Sequence, residues 1–274
     1  MSQKQATLSN GLRVRCMTPS HVPEIERQVR QYFQHGIRVR PGDTVFDVGA
    51  NIGLFSLLIH EKCQGNVTVY AFEPIPLIYE ALHENLNNAD PKLLIPRCHG
   101  LSNEDRSMIF AFRPNMTTLS SAYGDDNFET QNQVQNAWLR NLSTAPWNLR
   151  WLMLLPSAAR EFILKKASRT AFESEQVQCR VRRLSDIIRD EDIKIIDLLK
   201  IDVEKSELDV LLGIDQADWI RIRQVVMEIH DIENRLNTIS QLLIKHGLTQ
   251  IVIEQERILQ GSNVFALFAL RPAA

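Results

Sequence analysis

Apolar and polar positions along this chain follow two periodicities, one typical of strands and one typical of helices, and the two alternate. Short apolar runs predict seven core strands, at residues 44–46, 67–72, 93–98, 195–203, 225–229, 250–254 and 263–270. Segments with helical spacing separate the first six runs from one another, whereas the sixth and seventh follow each other without a helix. The pattern therefore predicts an α/β fold with a mostly parallel, doubly wound, seven-stranded sheet and a closing antiparallel hairpin.

A helical insert is predicted at about 124–176, where the strand and helix alternation is interrupted. Two additional short strands, at 109–112 and 177–181, lie on either side of it. Prolines break the segment into short helices. Three of the four tryptophans fall in it: Trp138, Trp147 and Trp151. We interpret the insert as a lid or docking surface over the acceptor pocket, with these tryptophans facing the pocket or packing beneath it and Trp138 against the substrate; alternatively, the tryptophans form only the insert's own small core.

Composition and charge exclude several classes of protein. The chain has 274 residues, 44% of them hydrophobic and 23% charged, which suits one large α/β domain. A net charge of −2 gives no reason to expect a nucleic-acid partner. No apolar run approaches the roughly 20 residues that span a bilayer, so no membrane contact is expected. The four cysteines lack the paired spacing of a zinc site, which favours free thiols and a cytoplasmic location.

The chemistry is concentrated around the turn that follows the first core strand. Asp47 ends this strand, Gly49 and Gly53 flank a tight turn that includes Asn51, and Glu73 ends the second core strand. Glycines let a backbone pass close to a ligand, and an acid at the next strand end can bind both hydroxyls of a ribose. These five residues are therefore predicted to bind a nucleoside-containing cofactor.

The same turn argues against a dinucleotide. A dinucleotide site uses three glycines around a pyrophosphate, whereas this turn has two and is preceded by Asp47. A carboxylate there would repel a pyrophosphate but suits a ligand with a cationic end. We therefore predict S-adenosyl-L-methionine, which has a sulfonium, an ammonium group and a ribose.

Acidic and imidazole groups follow the fourth and fifth core strands. Asp202 ends one of these strands, and Glu228 and His230 end its neighbour. Alternation places Glu228 and His230 on the same side of their strand, so the three side chains are expected to converge. They would either bind a divalent metal, Mg or Mn, or use His230 as a general base that titrates near neutrality. Alternatively, Glu228 and His230 form only a buried structural pair. Lys200 is interpreted as structural.

At this point the sequence resembles the FkbM family of S-adenosylmethionine-dependent methyltransferases. The resemblance runs from about residue 41 to the C-terminus, interrupted by the insert, and is carried by four segments: DTVFDVGANIGLFSLL, YAFEPIP, LLKIDVEKSELDVLLGI and VVMEIHD. It implies a Rossmann-like class I methyltransferase domain over 41–274. Residues 1–40 are then a lead-in with a helix that packs on the cofactor site.

The resemblance also implies roles for particular residues. Leu101 and Ser102 are expected beside the adenine, although a simple loop without a ligand explains them as well, and Asp202 is expected beside the cofactor. Ser120 and Ser121 belong to a segment that reaches toward the substrate. Two residues of the lead-in, His21 and Tyr32, are candidates for ligand contact, although packing or capping explains them as well.

The activity that the resemblance implies is methyl transfer to a hydroxyl. The segment around residues 21–43 resembles copies embedded in polyketide synthases and nonribosomal peptide synthetases, which implies a small-molecule or carrier-protein-bound intermediate of secondary metabolism. Neighbouring synthase domains are expected partners if the chain is excised from a longer polypeptide. An acidic acyl-carrier protein would fit the basic edge of the insert, although a solvated helix face explains it too: Arg160, Lys165, Lys166 and Arg169.

Other functions on the same scaffold remain open from the sequence. A catalytically silent docking module of a megasynthase is one, and methyl transfer to carbon or nitrogen is another. A nicotinamide-dependent oxidoreductase would require a third glycine after the first strand, where the chain has Leu54 and Phe55.

Overall fold

The computed structural model describes residues 3–122, 128–145, 150–171 and 173–272. Its strands, numbered along the chain, are β1 (Lys4–Thr7), β2 (Arg13–Cys16), β3 (Thr44–Val48), β4 (Thr68–Phe72), β5 (Leu94–Arg97), β6 (Gly100–Leu101), β7 (Arg106–Phe112), β8 (Glu175–Arg182), β9 (Leu198–Ile201), β10 (Gln224–His230), β11 (Gln250–Glu254) and β12 (Val264–Leu270). Its helices are α1 (Val22–Gln31), α2 (Leu54–Lys62), α3 (Pro76–Ala89), α4 (Phe128–Arg140), α5 (Ser157–Ala171), α6 (Leu184–Asp190), α7 (Glu207–Leu212) and α8 (Arg235–Lys245).

The central sheet has seven strands, in the order β11-β12-β10-β9-β3-β4-β5. The pairs from β10 to β5 are parallel, and β12 runs antiparallel to both β10 and β11. This confirms the predicted sheet and its closing hairpin. The chain moves outward from β3 in both directions, so the strand order switches between β3 and β9. Ligands bind at the carboxyl ends of the strands beside such a switch.

Apolar side chains on both faces explain why these strands lie in the middle of the molecule. Val45 and Phe46 are adjacent in β3 and point to opposite faces, where they join separate apolar clusters. The predicted strand at 195–203 is shorter than expected, because β9 covers Leu198–Ile201 only. Asp197 precedes it and accepts a hydrogen bond from the backbone of Thr44 at 2.9 Å, which fixes its register against β3.

The two additional predicted strands pair with each other outside the central sheet. β7 and β8 are antiparallel, and the short β6 runs parallel to β8. The helical insert therefore connects two paired strands. Leu142, Ala145 and Leu152 form a small apolar cluster there with Ile258 of the closing hairpin.

The tryptophans of the insert differ in their surroundings. Trp138 is half-buried and packs against this small cluster. Trp151 is 52% exposed and does not line the cavity described below, so the expectation that it faces or underlies the acceptor pocket is wrong. The prediction for Trp147 lies outside the described residues.

The lead-in is tied to the rest of the molecule through its strands and its helix. Asn85 of α3 donates to the carbonyl of Arg15 at 3.0 Å and to that of Ile52 at 2.8 Å, so one amide links β2 to the turn before α2. The Tyr32 and Phe33 rings, which follow α1, both contact Phe55 of α2. The lead-in shares an apolar cluster with β3 and α2 as a result. Within the described ranges, no helix has both the length and the apolar character that crossing a membrane requires.

We expect substitution of Gly53 to test how α2 packs on α3. Gly53 has φ of 87°, and a β-carbon there would lie 2.8 Å from Leu82 and 3.0 Å from Leu86. Gly53→Ala should lower the free energy of unfolding by about 3 kcal/mol, from backbone strain and overpacking together. Gly42→Ala is the matched control, since φ is 93° but nothing lies within 4 Å, and should cost about 1 kcal/mol. Equal losses in urea unfolding would contradict the packing role.

Candidate active site

A cavity of about 1010 Å³ opens at the carboxyl ends of β3, β4, β9 and β10. Its other walls come from α1, the loop after β7, α4 and the closing hairpin. The volume is at the upper end of the range typical of ligand pockets, about 300–1,000 Å³. Most of the residues predicted for the site line this one cavity: Gly49, Asn51, Glu73, Leu101, Ser102, Ser120, Ser121, Trp138, Asp202, Glu228 and His230.

The turn after β3 is held very close to the end of β9. Gly49 has φ of 75°, and a β-carbon there would lie 1.8 Å from the carbonyl oxygen of Asp202. The amides of Gly49 and Ala50 both donate to the carbonyl of Phe72 in β4, at 3.0 and 2.9 Å. Glycine is therefore required at this position by the approach of one backbone to another.

Asp47 and Gly53 do not contact the cavity, which corrects two of the predicted cofactor contacts. Asp47 is fully buried; it accepts a hydrogen bond from Ser56 at 2.7 Å and pairs with Lys200 at 3.0 Å. Its charge is thus directed into the protein. Gly53 packs against α3 instead. Both residues support the turn without lining the cavity.

Glu73 faces the cavity from the end of β4. One carboxylate oxygen accepts the backbone N–H of Ile75 at 2.9 Å, and the other accepts that of Asn51 at 3.1 Å. Burial raises the pKa of Glu73 to about 7, although the two backbone hydrogen bonds lower it. Asn51 has φ of 49°, and its side chain lies 3.3 Å from the hydroxyl of Thr117. The turn, β4 and the loop after β7 therefore meet at this point.

The residues predicted beside the adenine and the substrate lie on two walls of the cavity. Leu101 and Ser102 are buried at the end of β6. Ser120 accepts the backbone N–H of Arg113 at 3.0 Å, and Ser121 donates to the carbonyl of Glu204 at 2.6 Å. The second contact ties the loop after β7 to the loop after β9.

Buried His230 is surrounded by carboxylates at the end of β10. Its Nδ1 lies 3.0 Å from Glu207 and its Nε2 lies 3.3 Å from Glu204. Arg235 lies 3.2 Å from the other oxygen of Glu207. Glu228, half-buried, completes a group in which one potential metal-ligand atom each of Glu204, Glu228 and His230 lies within 4.8 Å of the others.

Asp202 is not part of this group, which corrects its predicted place in the catalytic and metal sets. Its carboxylate accepts a hydrogen bond from the Tyr32 hydroxyl at 2.9 Å and lies 3.7 Å from the Lys200 ammonium. These contacts direct it toward the turn after β3. The backbone then turns through two residues with positive φ, Glu204 at 49° and Lys205 at 81°. Glu204 is thereby brought to the position expected for Asp202.

The charge state of the cluster also differs from the expectation of an imidazole that titrates near neutrality. Burial alone would lower the pKa of His230, but Glu204, Glu207 and Glu228 together raise it to about 10. Burial raises the pKa of Glu204 to about 7, partly offset by His230. Burial and the neighbouring Asp202 and Glu204 raise the pKa of Glu228 well above its ordinary value. The imidazole therefore holds a proton at neutral pH, and a carboxylate is the group free to accept one.

Sequence reasoning missed Glu204 and Glu207 as site residues and treated Lys200 as structural only. The sequence contains a feature that points to each of these residues. Glu204 and Glu207 are spaced three residues apart directly after a buried strand, and Lys200 is the one basic residue in the mostly apolar run IIDLLKIDV. None of these signals shows which residue the side chain would contact.

We expect Glu207→Gln to destabilise the fold through the cluster. The change removes the carboxylate that faces both His230 and Arg235, and breaking a buried pair costs about 3 kcal/mol. Glu80→Gln, on the exposed side of α3, is the control and should change little.

The pH dependence of this stability difference follows from the two pKa shifts. The pKa of Glu207 is lowered by His230 despite burial, so its contribution is present above the ordinary value of 4.5 and is lost in acid. The pKa of His230 is raised, so its contribution is complete below 6.5 and is lost as pH rises through about 10. Urea unfolding of parent and variant should differ most in mildly acidic buffer; a pH-independent difference would contradict this.

Comparison with known proteins shows which protein family the chain belongs to. Residues 47–250 match the family described as Methyltransferase FkbM domain. The chain is 37% identical to the 31-O-demethyl-FK506 methyltransferase FkbM of Streptomyces tacrolimicus, over 97% of this chain and 96% of that protein. It is 36% identical to the AMB antimetabolite synthetase AmbE of Pseudomonas aeruginosa, over 88% of this chain but only 11% of AmbE.

Comparison with a solved structure supports the same fold. The Methyltransferase FkbM from Methylobacillus flagellatus KT aligns with a TM-score of 0.52 and 15% identity, over 86% of this chain and 46% of that one. The architecture is that of a class I, Rossmann-like methyltransferase, as predicted. Family and fold together support an enzyme that depends on S-adenosylmethionine. The chain belongs to the family of methyltransferase FkbM domains.

Proposed function

We propose that this protein transfers the methyl group of S-adenosylmethionine to a hydroxyl of a small-molecule or carrier-bound polyketide or peptide intermediate. The observation that carries the proposal is the shared cavity. The turn at Gly49 and the acid Glu73 line one side of it, and the cluster of Glu204, Glu228 and His230 lines another. Cofactor contacts and a proton-accepting group are therefore available to ligands bound side by side.

The cavity residues fit the cofactor chemically. Glu73 offers a carboxylate for the two ribose hydroxyls, and Leu101 and Ser102 offer an apolar and a polar edge for the adenine. Asn51 and Asp202 provide polar groups next to the Gly49 turn. When bound, S-adenosylmethionine supplies an electrophilic methyl group. The protein then has to position the acceptor oxygen and remove its proton.

We assign proton removal to the cluster at the end of β10. Glu204 accepts the acceptor's proton as a carboxylate, because its pKa of about 7 leaves a large fraction ionised at neutral pH. His230, protonated and held by Glu207, stabilises that carboxylate, and Glu228 orients the acceptor hydroxyl. Asp202 acts at the cofactor side through Tyr32 and Lys200. Ser120, Ser121 and Trp138 border the substrate.

A divalent metal is the competing version of this assignment. Mg or Mn bound by Glu204, Glu228 and His230 would polarise the acceptor hydroxyl, and the two carboxylates are ligands that suit such an ion. The two versions differ in their response to a chelator. Loss of turnover in chelator with recovery on metal addition would support the metal, whereas unchanged turnover would support the carboxylate base.

Glu204→Gln should reduce kcat about a hundredfold or more, because an amide cannot accept the proton. The parent's rate should fall as pH drops below about 7, where Glu204 becomes protonated, and the variant should lose this dependence. Glu233→Gln is the control, an exposed carboxylate in the loop after β10. A variant with near-parental kcat and the same acid limb would remove Glu204 from the mechanism.

The insert is proposed to cover the acceptor and to present a basic surface to an acidic carrier protein. Lys166 is exposed and Arg160 is partly exposed, while the side chains of Lys165 and Arg169 lie outside what the structure describes. The similarity to one segment of the synthetase AmbE supports a tethered substrate. A cytoplasmic location remains a prediction; the four cysteines are free thiols.

The deciding experiment is mass spectrometry of candidate alcohols, free and carrier-bound, after incubation with S-adenosylmethionine, followed by NMR of the product to locate the added methyl group. A gain of one methyl group that forms an ether supports the proposal, and a C- or N-methylated product or no product refutes it.

For the carrier, Lys166→Glu should raise KM for the carrier-bound form only, and added salt should reproduce the effect because the Debye length is about 8 Å at physiological ionic strength. Lys92→Glu, exposed elsewhere, is the control; equal effects of both variants would contradict docking at the insert.

A further inference from the structure

Lys200 is a buried lysine at the wall of the cavity. It lies in β9 and is 3% exposed. Its Nζ donates to the carbonyl of Gly49 at 2.8 Å, lies 3.0 Å from Asp47 and lies 3.7 Å from Asp202. One ammonium group therefore joins the turn after β3 to the acids that end β3 and β9.

The lysine is charged in this environment. Burial alone would lower the pKa of Lys200, but Asp47 and Asp202 raise it above its ordinary value. Asp47, fully buried, has no access to solvent, so its negative charge is compensated within the protein. Removing the lysine would leave both carboxylates without this partner next to the cavity.

The net charge of the site affects the affinities for the two forms of the cofactor differently. S-adenosylmethionine carries a sulfonium, whereas the demethylated product has a neutral thioether at the same atom. A site that becomes more negative binds the cation better relative to the neutral form, and a site that becomes less negative does the opposite. The charges at Asp47, Lys200 and Asp202 are fixed close to the turn that borders the cofactor side of the cavity.

We propose that Lys200 is a positioning residue that fixes the Gly49 turn and, by offsetting Asp47 and Asp202, sets how strongly the site distinguishes the sulfonium from the thioether. This inference rests on the proposed use of S-adenosylmethionine. It assigns to Lys200 a role in cofactor release that a purely structural lysine would not have. Asp47 shares that role although it does not reach the cavity.

The test is a charge series measured by calorimetry with both ligands. The quantity is the ratio of the Kd of the demethylated product to the Kd of S-adenosylmethionine. Lys200→Met should raise this ratio about tenfold relative to the parent, because the site loses a positive charge. Asp47→Asn should lower it. The double variant, Lys200→Met with Asp47→Asn, should return it close to the parental value, because its net charge is unchanged.

A merely structural role predicts a different result. The affinities for both ligands would fall together in each variant, and the ratio would stay within about twofold of the parent. That outcome would overturn the inference. If Lys200→Met does not fold, Asp47→Asn decides: a lowered ratio supports the charge balance, and an unchanged ratio refutes it. A parent that binds neither ligand would refute the proposed function itself, whereas binding of both with a constant ratio would refute only the role of Lys200.

Discussion

The close approach of two backbones, at Gly49 and Asp202, is the constraint on which the site depends. The ends of β3 and β9 come so near that a β-carbon on Gly49 would lie 1.8 Å from the Asp202 carbonyl. Lys200 reinforces the contact with a 2.8 Å hydrogen bond to the Gly49 carbonyl. Because these strands flank the switch in strand order, the contact fixes the floor of the cavity at the place where an α/β sheet opens.

Distant parts of the chain form the cavity walls, and hydrogen bonds connect them to the loop after β9. Tyr32, just beyond α1, bonds to Asp202, and Ser121 of the loop after β7 bonds to the backbone of Glu204. The lead-in and the loop before the insert are thus fixed to the same short segment. A change in the position of that segment would therefore shift the walls on both sides of the cavity.

Buried charges at the site compensate one another in two separate groups. Lys200 lies between Asp47 and Asp202, while His230 and Arg235 lie beside Glu207. Desolvation favours neutral forms, and opposite charges at about 3 Å favour ionised ones. Burial raises the pKa of Glu73 and of Glu204 to about 7, and the surrounding carboxylates raise the pKa of His230 so that its imidazole is protonated at neutral pH.

The sequence by itself determined the central sheet, its closing hairpin and the position of the insert. These features depend on local periodicity and on turn residues, which any stretch of chain displays directly. It also pointed to the carboxyl ends of the central strands, where the structure has the cavity, since the ends of parallel strands meet at one edge. Gly49, Glu73 and His230 could therefore be named from the sequence alone.

Only the tertiary structure decided which way each charged side chain points. Asp47 faces Lys200, Asp202 faces Tyr32, and Glu204 rather than Asp202 joins His230. The positions of these partners are set by pairing between elements up to 170 residues apart and by a turn with positive φ. Side-chain direction and pKa depend on the neighbours that the fold brings together, and spacing along one strand does not contain that information.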